Sequence, residues 1–228
     1  MQGEGILVGL RQIFVRFSGC SLTCDYCDTP ESRVQSPEFN IVRAYGNTPL
    51  PNPVLSEKLT EIVKSFNTHP NLHHSVSLTG GEPLEQADFL KEWLPLKEGL
   101  KIYLETNGIL PTHLTKVIEY MDIIGMDIKL PSVAGVKPHW SLHREFLKIA
   151  AEKEVFVKVV VDNSVTWEDM VNAVEIVYSV NPGIPFVIQP RTPVDMEAEQ
   201  ILKLQDMASS KLSHVRVIPQ VHKFLHLL

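Results

Sequence analysis

Seven short runs rich in β-branched and apolar residues recur along the 228-residue chain, at Ile13 to Phe17, Ser75 to Thr79, Lys101 to Glu105, Ile123 to Ile128, Val155 to Val161, Pro185 to Ile188 and His214 to Ile218. Amphipathic stretches fill the gaps between them. This alternation is the pattern of repeated βα units, whose crossovers make the strands run parallel, so the fold class is α/β. Six or seven units are too few for a closed eight-unit barrel, which takes about 250 residues. A partial, open barrel of the (β/α)6 type is expected, as one domain over residues 1–228. In open parallel sheets, ligands gather beyond the carboxyl ends of the strands. The unusual motifs all fall there: CSLTCDYC (20–27), TGGEP (79–83), ETNG (105–108), DIK (127–129) and QPR (189–191).

Between these ends the reading is plainer. Leu55, Leu59, Ile62, Val63 and Phe66 repeat at helical spacing, giving a helix from about Ser56 behind an N-cap. A second helix spans Trp167 to Val180, led by Thr166 with Asp169 three residues on, a looser form of a capping box. From Pro30 to Pro53 periodicity gives way to Pro, Asn, Ser and Gly, and a long irregular excursion is expected.

Charge and hydropathy exclude some functions. Lys plus Arg number 21 against 27 Asp plus Glu, a net charge of 21 − 27 = −6, with no basic stripe, so nucleic acid is not an expected partner. No stretch reaches the roughly 18 apolar residues of a membrane span, and MQGEGILVGLRQ lacks the features of a signal peptide. A cytoplasmic protein without a membrane partner is expected.

Cys20, Cys24 and Cys27 are the only cysteines. An odd number packed into one C-x3-C-x2-C stretch does not read as a disulfide framework and points to a reducing compartment. Three soft thiolates can hold three corners of an iron-sulfur cube and leave one iron open to a small molecule. The alternative is a structural zinc site, which requires a fourth ligand, and His69, His73 and His74 are the available candidates. In TGGEP, Gly80 and Gly81 allow backbone to approach a ligand closely and Glu82 adds a carboxylate, although a simple Gly-Gly turn before a helix explains them too.

An aromatic residue before the last cysteine, followed by LTGGEP at the next strand end, resembles the radical S-adenosylmethionine enzymes, and the order of motifs matches over nearly the whole chain. The resemblance implies a 4Fe-4S cluster on Cys20, Cys24 and Cys27, S-adenosyl-L-methionine on its open iron, and cleavage to a 5′-deoxyadenosyl radical, with the cofactor carrying the hard chemistry. QGEG (2–5), IFVRFSGC (13–20) and CDT (27–29) are more specific and are similar to the 7-carboxy-7-deazaguanine synthases. That family converts 6-carboxy-5,6,7,8-tetrahydropterin to 7-carboxy-7-deazaguanine with loss of ammonia, in queuosine biosynthesis.

The resemblance implies cofactor contacts at Tyr26, Cys27, Asp28, Gly81, Glu82, Thr106, Asp127, Ile128, Lys129 and Gln189. It implies substrate contacts at Gln2, Gly3, Glu4, Gly5, Arg16, Thr79, Gln220 and His222, and a Mg²⁺ ion on Thr29. Residue chemistry agrees with these roles: a guanidinium fork suits a carboxylate, and a hydroxyl oxygen suits Mg²⁺. A flavodoxin- or ferredoxin-type reductant and a homodimer are likewise implied. Residues 127–129 depart from the family's usual Ser-Pro-Lys, and only Lys129 is retained. No side chain is assigned as catalytic; Glu4, Glu82 and Lys129 are the candidates for handling protons.

Each residue also has a plain reading. Arg16 fits a surface ion pair, Thr29 a turn before Pro30, Thr106 and Asn107 an Asn-Gly turn, Asp127 with Lys129 a surface pair, and both chain ends a frayed terminus. Two other functions compete: an activase that installs a glycyl radical on a large partner, and a non-catalytic iron-sulfur or zinc binding protein.

Overall fold

The computed structural model describes residues 1–43, 46–69, 71–97 and 99–227. In chain order the strands are β1 (Gln12–Phe17), β2 (Glu38–Arg43), β3 (Gly46–Pro51), β4 (Ser75–Gly80), β5 (Lys101–Thr106), β6 (Ile123–Asp127), β7 (Glu154–Val161), β8 (Phe186–Pro190) and β9 (Val215–Val217). The helices are α1 (Ser56–Phe66), α2 (Ala87–Trp93), α3 (Pro111–Leu114), α4 (Pro131–Ala134), α5 (Trp140–Ala150), α6 (Trp167–Val180), α7 (Ala198–Ser209) and α8 (Val221–Phe224). β1 and β4 to β9 form one sheet in the order β1-β4-β5-β6-β7-β8-β9, every pair parallel. All seven expected strands are present, with bounds shifted by at most two residues, and β1 and β9 leave the sheet with open edges.

The central strands β4 to β8 are buried on both faces, which explains why their runs read as continuously apolar, whereas the edge strands β1 and β9 are partly exposed. On the outer face the helices pack over Leu104, Ile124, Val157, Val159 and Ile188 with Phe146, Leu147, Val174 and Val177. On the concave face Tyr103, Ile123, Phe156 and Val187 meet Leu7, with Ile6 and Ile218 alongside. The turn Gly5–Leu7 therefore plugs the hollow of the sheet. Gly5 has φ +64°, and a Cβ there would stand 2.5 Å from the Phe156 ring, so only glycine lets the turn sit so close. Burial of Phe156 alone is worth about 2 kcal/mol.

One plain reading falls away and two sequence expectations need correction. The first residues are not frayed: Gln2 N–H bonds to Leu10 O at 2.8 Å, Gly9 N–H bonds back to Gln2 O at 2.9 Å, and Gln2 is 3% exposed. The excursion from Pro30 to Pro53 contains an antiparallel hairpin, β2 with β3, where Asn40 faces Pro49 and Glu38 faces Pro51. Proline lacks an N–H and is tolerated in such an exposed ribbon, so the residues that hid the strand are compatible with it. At α1 the N-cap position is Leu55, and the Ser56 hydroxyl donates to Glu92 instead of capping.

The cap of α6 is as expected in one half only. Thr166 Oγ1 accepts from Asp169 N–H at 3.2 Å, but the Asp169 carboxylate accepts from Ser132 N–H at 2.7 Å and so ties α6 to α4. No helix among the described residues is long and apolar enough to cross a membrane. Thr166→Ala should lower unfolding stability by about 1 kcal/mol in denaturant titrations; an unchanged midpoint would mean the cap contributes nothing.

Candidate active site

Parallel register stacks inward-facing side chains in layers beneath one mouth. Residues two apart on a strand share a face, and pairing sets Arg16 beside Thr79, Asp127 beside Lys158, and Val160 beside Gln189. Together with the cysteine loop and both chain ends, these residues line one cavity of about 670 Å³.

The cysteine loop is sewn to the TGGEP turn by backbone. Gly81 N–H bonds to Phe17 O at 2.8 Å, Glu82 N–H to Gly19 O at 2.7 Å, and Gly19 N–H to Ser32 O at 2.7 Å. A Cβ on Gly80 would lie 2.2 Å from Phe17 O, and one on Gly81 2.0 Å from Gly19 O. The two glycines thus serve the packing of turn against loop, and both also line the cavity. Cys24 is anchored in a small apolar cluster with Leu22, Ile109 and Ala134, and its carbonyl accepts from Arg33 at 2.6 Å. Burial pushes the Cys20 and Cys24 thiols up.

Glu82 is 1% exposed at the start of the turn after β4. Its carboxylate accepts from Thr106 Oγ1 at 2.8 Å, Asn107 N–H at 2.8 Å and Leu84 N–H at 3.1 Å. Burial outweighs these donors and lifts its pKa to about 7. Thr106 and Asn107 are therefore more than a turn, since they bind Glu82 to the end of β5.

Across the mouth lies a chain of charges. Lys129 Nζ is 2.9 Å from Asp127 Oδ2, and Lys158 Nζ is 3.0 Å from the same oxygen. Lys158 also donates to Glu4 Oε2, and Gln220 Nε2 donates to Glu4 Oε1 at 2.9 Å. Burial works to raise the Glu4 carboxyl, but the Lys158 ammonium and the donors around it prevail and hold it well below the usual range. Asp127 is likewise lowered, burial being outweighed by Lys129 and Lys158. Lys129 sits 5.2 Å over the Tyr26 ring. This pair is buried within a network, unlike the surface pair that sequence alone allows.

The two chain ends close one side of the cavity. Val221 N–H bonds to Gly3 O at 2.9 Å, and Gly3 leaves room for His222, which a Cβ would strike at 2.4 Å. Gln2 Nε2 donates to Glu105 Oε1 and, at 3.1 Å, to Gln12 Oε1, while Thr79 Oγ1 donates to Glu105 Oε2 at 2.7 Å. Burial raises the Glu105 carboxyl despite the Thr79 bond.

Of the sequence-predicted site residues, all line this cavity except Ile128. The Ile128 side chain is fully buried in the outer core, and its N–H bonds to Lys158 O at 2.9 Å, so at most its backbone faces the mouth. Sequence reading missed Lys158, Glu105, Tyr103 and Phe156. The signal for Lys158 was a lysine at the centre of the apolar run VFVKVVV; for Glu105 it was the acidic residue opening ETNG.

The mouth has the chemistry of a liganded site. Half of the buried side-chain polar atoms without a partner among the described residues belong to its lining: Tyr26 Oη, Asn107 Nδ2, Asp127 Oδ1, Thr192 Oγ1 and both amide atoms of Gln189, which faces Glu4 without a well-formed hydrogen bond. Buried polar atoms are rarely left so, and a polar ligand would supply their partners. Three soft thiols converge on the same cavity and fit an iron-sulfur cluster. They do not form a group with ligand atoms within 4.8 Å of one another, as Glu4, Asp28 and His222 do, which disfavours a single zinc ion. His69, His73 and His74 precede β4 and so lie a strand length from the thiols at its other end, too far to complete a zinc site.

His143 on α5 supports the ETNG turn: it is fully buried, Nε2 lies 3.1 Å from Asn107 O, and burial pushes its pKa down to about 4. Below the unfolded value of about 6.5 the unfolded chain binds a proton that the folded chain refuses. Its contribution is therefore present above pH 6.5 and is lost as pH falls toward 4, by about 3 kcal/mol at most. His143→Gln should remove this part of the pH dependence in thermal melts between pH 6.5 and 4; an unchanged slope would contradict the neutral imidazole.

Comparison with known proteins agrees with this geometry. Residues 14–181 match the model of the Radical SAM superfamily. The chain is 44% identical to the 7-carboxy-7-deazaguanine synthase of Geobacter sulfurreducens, over 99% of this chain and 93% of that protein. It is 34% identical to the one of Archaeoglobus fulgidus, over 99% and 94%. The crystal structure of Streptococcus suis SuiB bound to S-adenosylmethionine shares the fold, with TM-score 0.58 at 17% identity, covering 92% of this chain and 47% of that one. The chain therefore belongs to the Radical SAM superfamily and, within it, to the family of 7-carboxy-7-deazaguanine synthases.

Proposed function

We propose that the chain converts 6-carboxy-5,6,7,8-tetrahydropterin to 7-carboxy-7-deazaguanine with loss of ammonia, as a single catalytic unit. The observation that carries this reading is the closure of the mouth by Gln2, Glu4, Gln220 and His222 from the two chain ends, facing the thiol side of one 670 Å³ cavity. Such a pocket takes a small heterocycle.

When bound, the cluster and S-adenosyl-L-methionine supply a radical that removes a hydrogen atom from the substrate. Departure of one ammonia balances the atoms of the overall reaction with no net oxidation, so the cofactor can be regenerated. The chain's own task is then placement, which accounts for large factors in rate. Cys20, Cys24 and Cys27 hold the cluster, and Glu82, with Gly81, Tyr26, Asp28, Thr106, Asp127, Lys129 and Gln189 around it, holds the cofactor. Gln2 and Glu4 present an amide and a carboxylate to the donor and acceptor edge of the pterin. Arg16, exposed on the edge strand at the rim, takes the substrate carboxylate. Thr29, whose hydroxyl stands 3.3 Å from Ser32 Oγ, offers the hard oxygen for Mg²⁺. Reduction by a flavodoxin- or ferredoxin-type protein and assembly as a homodimer complete the reading.

The test is anaerobic turnover of the reconstituted protein with S-adenosyl-L-methionine, a strong reductant, Mg²⁺ and the pterin, followed by mass detection. Many product molecules per cofactor are expected; slow release of 5′-deoxyadenosine without product would contradict the substrate assignment. In the same assay Thr29→Ala should shift the Mg²⁺ dependence to higher concentration by about tenfold, the loss of one charge-assisted contact, at unchanged iron and sulfide content. Loss of the cluster would instead make Thr29 structural.

A further inference from the structure

β7 places Val155, Val157, Val159 and Val161 toward the helices and Phe156, Lys158 and Val160 toward the cavity. A lysine amid a parallel sheet requires partners, because an unpaired buried ammonium is strongly disfavoured. Lys158, with 14% of its side chain exposed, has two, and they stand on different walls. Asp127 is its neighbour in register and shares its oxygen with Lys129, near Tyr26 and the cysteine loop. Glu4 belongs to the N-terminal segment and is held from its other side by Gln220.

We propose that Lys158 is a positioning residue that locks the substrate wall to the cofactor wall: one ammonium holds the Glu4 carboxylate at a set place relative to Asp127, and so sets where the heterocycle lies against the cofactor. This rests on the pterin reading above. Asp127 keeps Lys129 as a second cation, whereas Glu4 has no other cationic partner among the described residues. Removing Lys158 therefore leaves the cofactor wall neutralised and the substrate wall with a carboxylate held by the neutral Gln220 amide and no longer fixed relative to Asp127.

The experiment compares Lys158→Met, Lys158→Arg, Glu4→Gln and the double substitution E4Q/K158M in the reconstituted protein, measuring iron and sulfide content, S-adenosyl-L-methionine affinity, and calorimetric affinity for 6-carboxy-5,6,7,8-tetrahydropterin. Lys158→Met should keep its cluster and bind the cofactor within about threefold of the parent, while pterin affinity falls by about 30-fold or more, the size of a broken buried charge pair. Lys158→Arg should recover most of that loss. The double variant should bind pterin no more weakly than Glu4→Gln alone, because Lys158 then has nothing to place. Equal loss of both ligands, or additive losses in the double variant, would reduce Lys158 to a structural cation and overturn the assignment. If Lys158→Met does not hold its cluster, Lys158→Gln, which keeps a donor without the charge, must show the same split. A parent protein that binds the cofactor but not the pterin would refute the substrate reading, whereas normal parent binding with no loss in the variants would refute the role of Lys158 alone.

Discussion

The parallel pairing of β1 and β4 to β8 is the constraint on which the rest of the structure depends. It aligns the carboxyl ends of six strands on one side of the sheet, so the cysteine loop, TGGEP, ETNG, DIK and the end of β8 meet although they are spread over more than 150 residues. Strand pairing also decides which residues meet. Asp127 and Lys158 are register partners, and Thr79 reaches Glu105 from the neighbouring strand. A slip of one residue would turn each inward group into the helix-packed core.

The second organising element is electrostatic. Glu4, Lys158, Asp127 and Lys129 alternate in sign across the mouth and compensate one another where none is well solvated. Glu82 stands apart from them, with no cationic partner among the described residues but gripped by two backbone N–H groups and a hydroxyl. Its pKa near 7 reflects that difference. The mouth thus has one wall of paired charges and, apart from it, the carboxylates of Glu82 and Glu105, which are held by neutral donors.

Much of this was legible before the fold. Continuous apolar runs marked the central strands because these are covered on both faces, and the motifs marked their ends because side chains there escape the core. What the sequence concealed follows from geometry. Ile128 lies inside a functional motif yet points to the helices, since residues adjacent on a strand face opposite sides. Lys158 lies inside an apolar run yet faces the cavity for the same reason. The hairpin β2–β3 was hidden by prolines that an exposed ribbon tolerates, and the order of residues 2–5 depends on contacts with α8 from the far end of the chain, which no local pattern records.

At the centre of the account is the claim that three thiols at the mouth hold a cluster with one iron open beside Glu82. Pulsed electron paramagnetic resonance of the reduced cluster, with S-adenosyl-L-methionine carrying nitrogen-15 at its amine, tests this directly. A hyperfine coupling from that nitrogen, present in the parent protein and weakened in Glu82→Gln, is the predicted result. A cluster signal that is identical with and without the cofactor, with no nitrogen coupling, would mean a closed fourth ligand and would contradict the account.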